Sequence, residues 1–330
     1  MRLQTSLLFG LLLLLGACSD NSAAESAVEP PKLVPDETIT DAPKGWTPVK
    51  QYAERAVTTR REDYPSGAVR RMHCLALDDA GTETAHGPEV LWHETGVLQR
   101  RTHFELGLES GVEEVWFENG QPRRVGSYVD GKREGQWLEY HEQGDLRARR
   151  NYSAGEPHGK LEEWSPRGHP KLESSWDHGA QIGLERRWRG AHLVSEMSWE
   201  NGAREGPAKL FFDNGDPREE GSHTAGKKNG KWLSWNPGGV RFREVHYADD
   251  QMHGAVTEWR PDGSKLSETE YANDLANGMQ RAWYADGVMQ MEGTMIGRER
   301  QGKWTYWRKD GSVNEGWSGN YVDDVKQEDE

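Results

Sequence analysis

Cysteine is scarce in this sequence. The 330 residues contain two cysteines, Cys18 and Cys74, so no framework of several disulfides supports the fold. Cys74 lies in the stretch Met-His-Cys-Leu-Ala-Leu that begins at residue 72. Because a free cysteine among apolar residues usually behaves as a small buried hydrophobe, we expect Cys74 to be structural rather than reactive.

Positive charge is also in short supply. There are 41 Lys+Arg against 55 Asp+Glu, which gives a formal net charge of −14 and a sequence pI near 5.4. Nucleic acids and anionic lipid surfaces are bound through clustered Lys and Arg side chains. The composition therefore argues against both classes of partner, and we expect no nucleic-acid partner.

The common signatures of catalytic and metal sites are missing. There is no Gly-x-Ser-x-Gly nucleophile turn, P-loop or dinucleotide fingerprint, and no His-x₃-His pair or Cys/His cluster. Adjacent carboxylates such as Glu113 and Glu114 would point to opposite faces of a strand. We expect a protein that is not an enzyme, without catalytic, cofactor-binding or metal-binding residues. The enzyme alternative would require an apposed acid/base pair in a pocket.

Long apolar runs are absent except at residues 7–15, where leucine predominates. This run is shorter than the roughly 20 residues that span a bilayer as a helix. A positive start, Met1-Arg2, precedes it, and Leu-Gly-Ala-Cys ending at Cys18 follows it. That order indicates a secretory signal and resembles the lipobox of bacterial lipoproteins. The alternative is an ordinary cleaved signal with an incidental cysteine.

The lipobox resemblance implies an anchored protein. Residues 1–17 would be removed, and Cys18 would carry the lipid, including palmitate, that holds the chain on the membrane. Ser19 at the next position, rather than Asp, implies the outer membrane of a Gram-negative envelope, on its periplasmic face or at the cell surface. Prolines among acidic residues predict that residues 18–45 form a disordered linker after the lipidated cysteine.

Glycine and tryptophan are abundant, with 38 and 15 residues, and they recur with a period of 24. The clearest copy spans residues 135–158. Counting its opening glycine as position 0, position +5 is aromatic in every copy, position +9 is usually glycine, and a further aromatic and glycine follow near +17 and +20. Ten copies open at Gly87, Gly111, Gly135, Gly159, Gly183, Gly206, Gly230, Gly254, Gly278 and Gly302.

Two turns in each copy predict a β-hairpin. In five copies the first contains Asn-Gly or Asp-Gly at +8 and +9, as in Asn119-Gly120, which favours a type I′ turn. The second runs from the +20 glycine to the next opening glycine. His86, His158 and His253 precede an opening glycine, which suggests a left-handed backbone position for them. The intervening stretches have the length of strands, and a helix would carry too many glycines.

The predicted fold is all-β: an elongated array of antiparallel hairpins at residues 87–324, preceded by a degenerate capping repeat at 46–86 and followed by an acidic tail at 325–330. One copy, which opens at Gly183, has 23 residues, and the loss falls near Gly190. Because hairpin turns set strand register, we expect this copy to be a weak joint unless its turn absorbs the loss.

The spacing of glycines and aromatics resembles the bacterial variant of the MORN repeat over most of the mature chain. The resemblance implies an antiparallel sheet that acts as a scaffold or binding surface, and some bacterial members are described as antitoxin-like. A looser similarity to choline-binding wall repeats lacks their Trp-Tyr-Tyr cluster.

The aromatic row at +5 has two interpretations. Its rings form the core, or one row faces outward and binds a partner by stacking on it. The candidate ladder consists of Trp92, Trp116, Tyr140, Trp164, Trp235, Trp259, Trp283 and Trp307. We expect a lipid-anchored, non-catalytic envelope scaffold that binds a protein or glycan partner. The alternative is an immunity-like protein that neutralises a toxin.

Overall fold

The computed structural model describes residues 33–35, 49–52 and 55–328. In these ranges the chain forms β-strands joined by turns. Three short strands form one sheet in the order β1, Leu33–Pro35, β2, Val49–Tyr52, and β3, Arg55–Ala56. The expected signal peptide lies outside the described residues, whereas β1 falls within the segment expected to be a linker.

The remaining strands form one long antiparallel sheet, which confirms the predicted array of hairpins. Consecutive strands pair in the register, except that β9 pairs with β7 and β10 rather than with β8, and the register contains no residue pair between β4 and β27 in the described ranges. The strands are β4 Thr58–Asp63, β5 Val69–Leu77, β6 Glu83–Trp92, β7 Leu98–Glu105, β8 Leu108–Glu109, β9 Gly111–Trp116, β10 Pro122–Val129, β11 Lys132–Tyr140, β12 Leu146–Ser153, β13 Glu156–Trp164, β14 Pro170–Asp177, β15 Ala180–Arg189, β16 His192–Glu200, β17 Ala203–Phe211, β18 Pro217–Thr224, β19 Lys227–Trp235, β20 Arg241–Ala248, β21 Gln251–Trp259, β22 Lys265–Ala272, β23 Leu275–Trp283, β24 Met289–Ile296, β25 Glu299–Tyr306, β26 Gly319–Val322 and β27 Val325–Lys326.

In the five copies with Asn-Gly or Asp-Gly at +8 and +9, the first turn is not the type I′ turn that this pair suggested. In the copy that opens at Gly111, Phe117 N donates to Gln121 O at 2.9 Å and Gly120 N donates to Phe117 O at 2.9 Å. Of these turn residues, only Gly120 has a positive φ, at 82°. This is a three-residue loop in which a type I turn is followed by a left-handed glycine. The Asn or Asp at +8 instead accepts a bond from the amide two residues later, as Asn119 does from Gln121 at 2.9 Å.

The second turn is the type I′ turn. Asp130 and Gly131 both have positive φ, at 49° and 74°, and they join β10 to β11 as a two-residue loop. The amide of each such turn also donates to a backbone carbonyl of the preceding copy, as Gly131 N does to Glu109 O at 2.9 Å. Ten turns donate in this way, through Gly107, Gly131, Gly155, Gly179, Gly202, Gly226, Asp250, Asp274, Arg298 and Asp324. This turn ladder ties every copy to the one before it.

The opening glycines lie in strands rather than in the second turn. All ten have positive φ, and the register slips beside them: Val125 pairs with Leu138 but Ser127 pairs with Glu134. Gly135 and its neighbours thus form a bulge in β11. His86, His158 and His253 are not among the residues with positive φ, so the left-handed role suggested for them is wrong.

The deepest core column is at +2, not at +5. Trp137, Trp232 and Trp304 are 2%, 3% and 1% exposed. Each ring lies on the backbone of a glycine at +15 of the preceding copy, and these glycines are Gly126, Gly221 and Gly293. A Cβ on Gly221 would fall 2.6 Å from Trp232 Cγ and closer still to two other ring atoms. Without such a glycine, +2 holds a smaller or more flexible side chain, such as Ala208 or Glu113, both 1% exposed.

The two irregular copies keep the same frame. In the short copy, Arg189 pairs with His192, so Gly190 (φ 61°) and Ala191 form a two-residue loop in place of the usual three. The pairing continues on both sides of this loop, so the turn absorbs the missing residue. In the capping segment, Tyr64 N donates to Ala68 O at 2.8 Å, as His93 N does to Val97 O. The tyrosine therefore occupies +6 of its copy, the position that His93 occupies in the next one.

Candidate binding surface

The ring row at +5 lies at the strand ends next to the three-residue turns. Trp92 is 2% exposed and belongs to the core cluster with Met72, Cys74 and Val90. The other candidate ladder residues are half-buried: Trp116, Tyr140, Trp164, Trp235, Trp259, Trp283 and Trp307. Together these side chains form a row of partly accessible rings on the described sheet, with Trp92 covered.

Cations cover several of these rings. The Arg241 guanidinium carbon lies 4.1 Å from the centroid of Trp259, and Lys265 Nζ lies 5.0 Å from that of Trp283. Arg101 and Arg149 lie over Trp116 and Trp164 at 5.7 and 5.6 Å. Each cation stabilises the exposed ring face by about 0.5–1 kcal/mol at such sites. A partner that stacks on these rings would have to displace the cation first.

Side chains at +6 close the gaps between successive copies. Tyr284 Oη donates to Trp307 O at 2.9 Å, and His141 Nε2 lies 3.1 Å from Trp164 O. Tyr64, His93 and Arg260 make the corresponding contact with the carbonyl of the next +5 residue. Phenylalanine cannot make this bond, and phenylalanine stands at +6 in two copies, as Phe117 in the copy that opens at Gly111 and Phe212 in the copy that opens at Gly206.

A groove opens at Phe212. It has a volume of about 430 Å³ and is shallow, with three aromatic side chains, Phe212, Trp235 and Phe242, beside polar and charged groups. The full lining is Phe212, Arg218, Glu219, Ser234, Trp235, Asn236, Pro237 and Phe242. Aromatic walls with a few convergent polar groups are typical of ligand sites. Of the candidate ladder, Trp235 is the member that lines this groove.

A second hollow of about 410 Å³ lies on the opposite face of the same hairpins. Its lining includes Lys209, Glu220 and Leu233, which pair across β17, β18 and β19. Their chain neighbours Glu219 and Ser234 line the first groove, and successive residues of a strand point to opposite faces. The sheet is one layer thick here, so both faces of β17–β19 present a concave surface.

Buried carboxylates are neutralised by arginines rather than left as acid/base groups. Glu113 is 1% exposed and accepts bonds from Arg100 Nε at 2.8 Å and Arg124 Nε at 2.9 Å. Glu185 accepts from Arg187 Nε and from Gln181 Nε2, both at 2.7 Å. Burial alone would raise the pKa of Glu185, but these hydrogen bonds outweigh it and the pKa is lowered. The arrangement keeps the Glu185 carboxylate ionised, which suits a structural role.

Cys74 is buried, as expected for a structural thiol. It is 2% exposed, and its Sγ lies 3.8 Å from Thr59 Oγ1. Burial raises the pKa of the thiol to about 11. Cys18, the expected lipid attachment residue, lies outside the described residues. Within the described ranges, no helix has the length and apolarity needed to span a membrane.

One cluster of possible metal ligands is not indicated by the spacing of residues along the sequence. His158 Nδ1 and His178 Nδ1 lie 3.2 and 2.6 Å from Asp177 Oδ1, and the two imidazole centroids are 4.6 Å apart. His158 lies 19 and 20 positions before Asp177 and His178 in the sequence, so local spacing carries no signal. The 24-residue period together with hairpin pairing does indicate the cluster. Position −1, occupied by His158, lies across the hairpin from position +18 of the same copy, occupied by Asp177.

Comparison with known proteins identifies the repeat. Residues 109–130 and 133–154 match the MORN repeat variant. The chain therefore carries MORN-variant repeats in this region, and the other copies share their period and hairpin geometry. No curated protein matches the chain.

Two solved structures that are similar to part of the chain belong to much larger proteins. The crystal structure of TcdB2-TccC3 is 11% identical, with a TM-score of 0.18, over 79% of this chain and 17% of that chain. The structure of TcdB2-TccC3-Cdc42 gives 11% identity and a TM-score of 0.16 over the same shares. The chain thus spans less than a fifth of the length of these proteins.

Proposed function

We propose that this protein is a lipid-anchored, non-catalytic scaffold of the cell envelope, whose repeat sheet binds a protein or glycan partner. The observation that carries the proposal is the groove formed by Phe212, Trp235 and Phe242 beside Arg218 and Asn236. Aromatic faces bind sugar rings or apolar side chains, and the neighbouring polar groups orient them. Residues 18–45 would tether this surface to the membrane through Cys18.

Two further features support a binding role. The groove lies beside Phe212, whose side chain cannot make the +6 contact with the next copy. Neighbouring repeats hold β17–β20 through backbone pairs on both sides. A partner would therefore meet a surface that is already formed, which reduces the ordering cost of association.

The groove is tested by Phe242→Ala with Leu266→Ala as its matched control. Both residues stand at +12, in successive copies, and Leu266 is 38% exposed but outside the groove. Wild-type protein and both variants are used to capture partners from detergent-solubilised envelope and to titrate soluble envelope glycans. We expect Phe242→Ala to weaken binding about tenfold or more, as for an aromatic hot spot, with Leu266→Ala unchanged.

The outcomes separate the candidate partners. Saturable binding of a glycan identifies that class, and recovery of several envelope proteins identifies a protein scaffold. One tightly bound protein that is toxic alone would favour neutralisation of a toxin. Equal loss in both variants, or none in either, would contradict a role for the groove. The anchor is tested separately, because Cys18→Ala should release the protein from the membrane fraction.

A further inference from the structure

The three side chains His158, Asp177 and His178 meet at one edge of the sheet. Gly159 pairs with Trp176 in the register of β13 and β14, so His158 lies across from Asp177. His178 follows in the type I′ turn that joins β14 to β15, with φ 42°. The hairpin and its turn thus bring two imidazoles and one carboxylate together.

The spacing of these atoms suits a divalent transition metal ion. Zinc bonds of about 2.0–2.1 Å in tetrahedral geometry place neighbouring ligand atoms roughly 3.3 Å apart. His158 Nδ1 and His178 Nδ1 lie 3.2 and 2.6 Å from Asp177 Oδ1, and the ligand atoms of all three lie within 4.8 Å of one another. We propose that His158, Asp177 and His178 form a site for Zn²⁺ or a similar imidazole-binding divalent ion, with water completing the coordination.

The composition of this copy supports a ligand role. The same three positions, −1, +18 and +19, hold Ser110, Val129 and Asp130 in one copy and His253, Ala272 and Asn273 in another. The turn needs only a residue that accepts positive φ, which Asp130 and Asn273 provide. Two histidines and an aspartate coincide in one of the ten copies. Imidazole nitrogen and carboxylate oxygen together favour zinc, copper, nickel or iron over calcium and magnesium.

The site is open to solvent, which suits a reversibly bound ion. The side chains of His158, Asp177 and His178 are 46%, 56% and 66% exposed. Glu156 lies close to the same turn, with Oε2 3.8 Å from where a Cβ on Gly179 would stand. Its carboxylate adds negative charge to this edge of the sheet.

The competing explanation is a hydrogen-bonded clasp without a metal. Both imidazoles can donate to Asp177, which would fasten His178 and its turn to β13. A clasp predicts that removing His158 or His178 lowers thermal stability in the presence of a chelator and that the protein binds no zinc. A metal site predicts stoichiometric zinc binding that raises the Tm of the wild type.

The test is calorimetric titration of the full chain in detergent with zinc chloride, after removal of metal with chelator. The variants are His158→Ala, His178→Ala and Asp177→Asn, and the control is His253→Ala, which changes an exposed histidine at the same repeat position. We expect one zinc per chain, affinity at least about tenfold lower in each site variant, and no change in the control. Substitution with Co²⁺ should give the visible spectrum of a tetrahedral N/O site.

Three results would overturn the proposal. They are the absence of stoichiometric zinc binding by the wild type, retention of full affinity by His158→Ala and His178→Ala together, or an equal loss in His253→Ala. Asp177→Asn keeps the size and hydrogen-bonding capacity of the side chain, so its fold is maintained even where an alanine variant unfolds. This site is distant in sequence from the groove at Phe212, so failure of either proposal leaves the other standing.

Discussion

Gly221 is the residue whose replacement should disturb the core most selectively. In Gly221→Ala the new Cβ would fall 2.6 Å from Trp232 Cγ, well inside van der Waals contact. The ring has no room to retreat. His223 and Tyr247 meet its edges at centroid distances of 5.1 and 6.5 Å, and Lys228 Nζ lies 3.9 Å from its centroid. Its Nε1 also donates to Ser222 O at 3.1 Å.

The expected cost is that of overpacking, about 1–3 kcal/mol, and the fixed ring places it near the upper end. Trp232→Ala should cost about 3–5 kcal/mol, the range for truncating a buried large aromatic. Once the ring is gone, the extra Cβ has space. The double variant should therefore be no less stable than Trp232→Ala alone, within about 0.5 kcal/mol, so the two substitutions are strongly non-additive.

Hydrogen exchange measured by mass spectrometry is the appropriate assay, because repeat arrays open locally and a single unfolding transition is not assured. Local opening free energies are compared across β18 and β19 for the two single variants and the double variant. Gly316→Ala serves as the control, since Gly316 has no positive φ and a Cβ there would meet Asn314 Oδ1 at an ordinary 3.5 Å. A cost below about 0.5 kcal/mol for Gly221→Ala, or simple additivity with Trp232→Ala, would refute the steric account.

Three further predictions concern a buried charge, the thiol and the short copy. The pKa of Glu185 is lowered in the folded state, so its carboxylate stabilises the protein above the unfolded-state pKa of about 4.3 and less as pH falls through the folded-state pKa. The stability difference between wild type and Glu185→Gln in chemical denaturation should therefore shrink in acid; a constant difference would contradict this. In Cys18→Ser, Ellman's reagent at pH 8 should react with Cys74 only after unfolding, because burial raises its pKa to about 11; rapid native reaction would show an accessible thiol. Hydrogen exchange in residues 183–205 should match that in residues 230–253, because pairing continues through the two-residue loop; selective loss of protection would identify a weak joint.

The architecture could be predicted from the sequence because its signals are local and repeated. The glycine period, the paired turns and the aromatic row at +5 recur in every copy, and each has a direct structural cause. The sequence predicted a type I′ turn as the first turn of a copy, whereas the structure has it as the second. Asn-Gly does not distinguish the two cases, because it suits both a type I′ turn and a type I turn followed by a left-handed glycine. The true type I′ turns include Ala154-Gly155, which has no asparagine to signal it.

The core column at +2 could not be read from composition. Trp232, Glu113 and Ala208 occupy the same position and share no chemical character. What they share is a partner at +15 of the preceding copy, where Gly221 or a larger residue compensates for volume. This compensation is visible only in the register of the strands. It cannot be inferred from a simple alternation of faces along the sequence, because the bulge at the opening glycine interrupts that alternation. The histidine cluster was hidden for a related reason, because pairing rather than spacing brings it together.

The turn ladder has a consequence for how such a gene changes length. Every copy presents the same backbone acceptor to the copy after it and the same turn amide to the copy before it, as Gly155 N and Arg133 O do at 2.9 Å. Duplication or loss of one 24-residue unit therefore recreates the same junction, and the array can grow or shrink by unequal crossing-over without new contacts being invented. Insertion or deletion of a single residue would not recreate this junction. The chain contains one such change among its ten copies, and it lies in the loop at Gly190, away from the turn ladder.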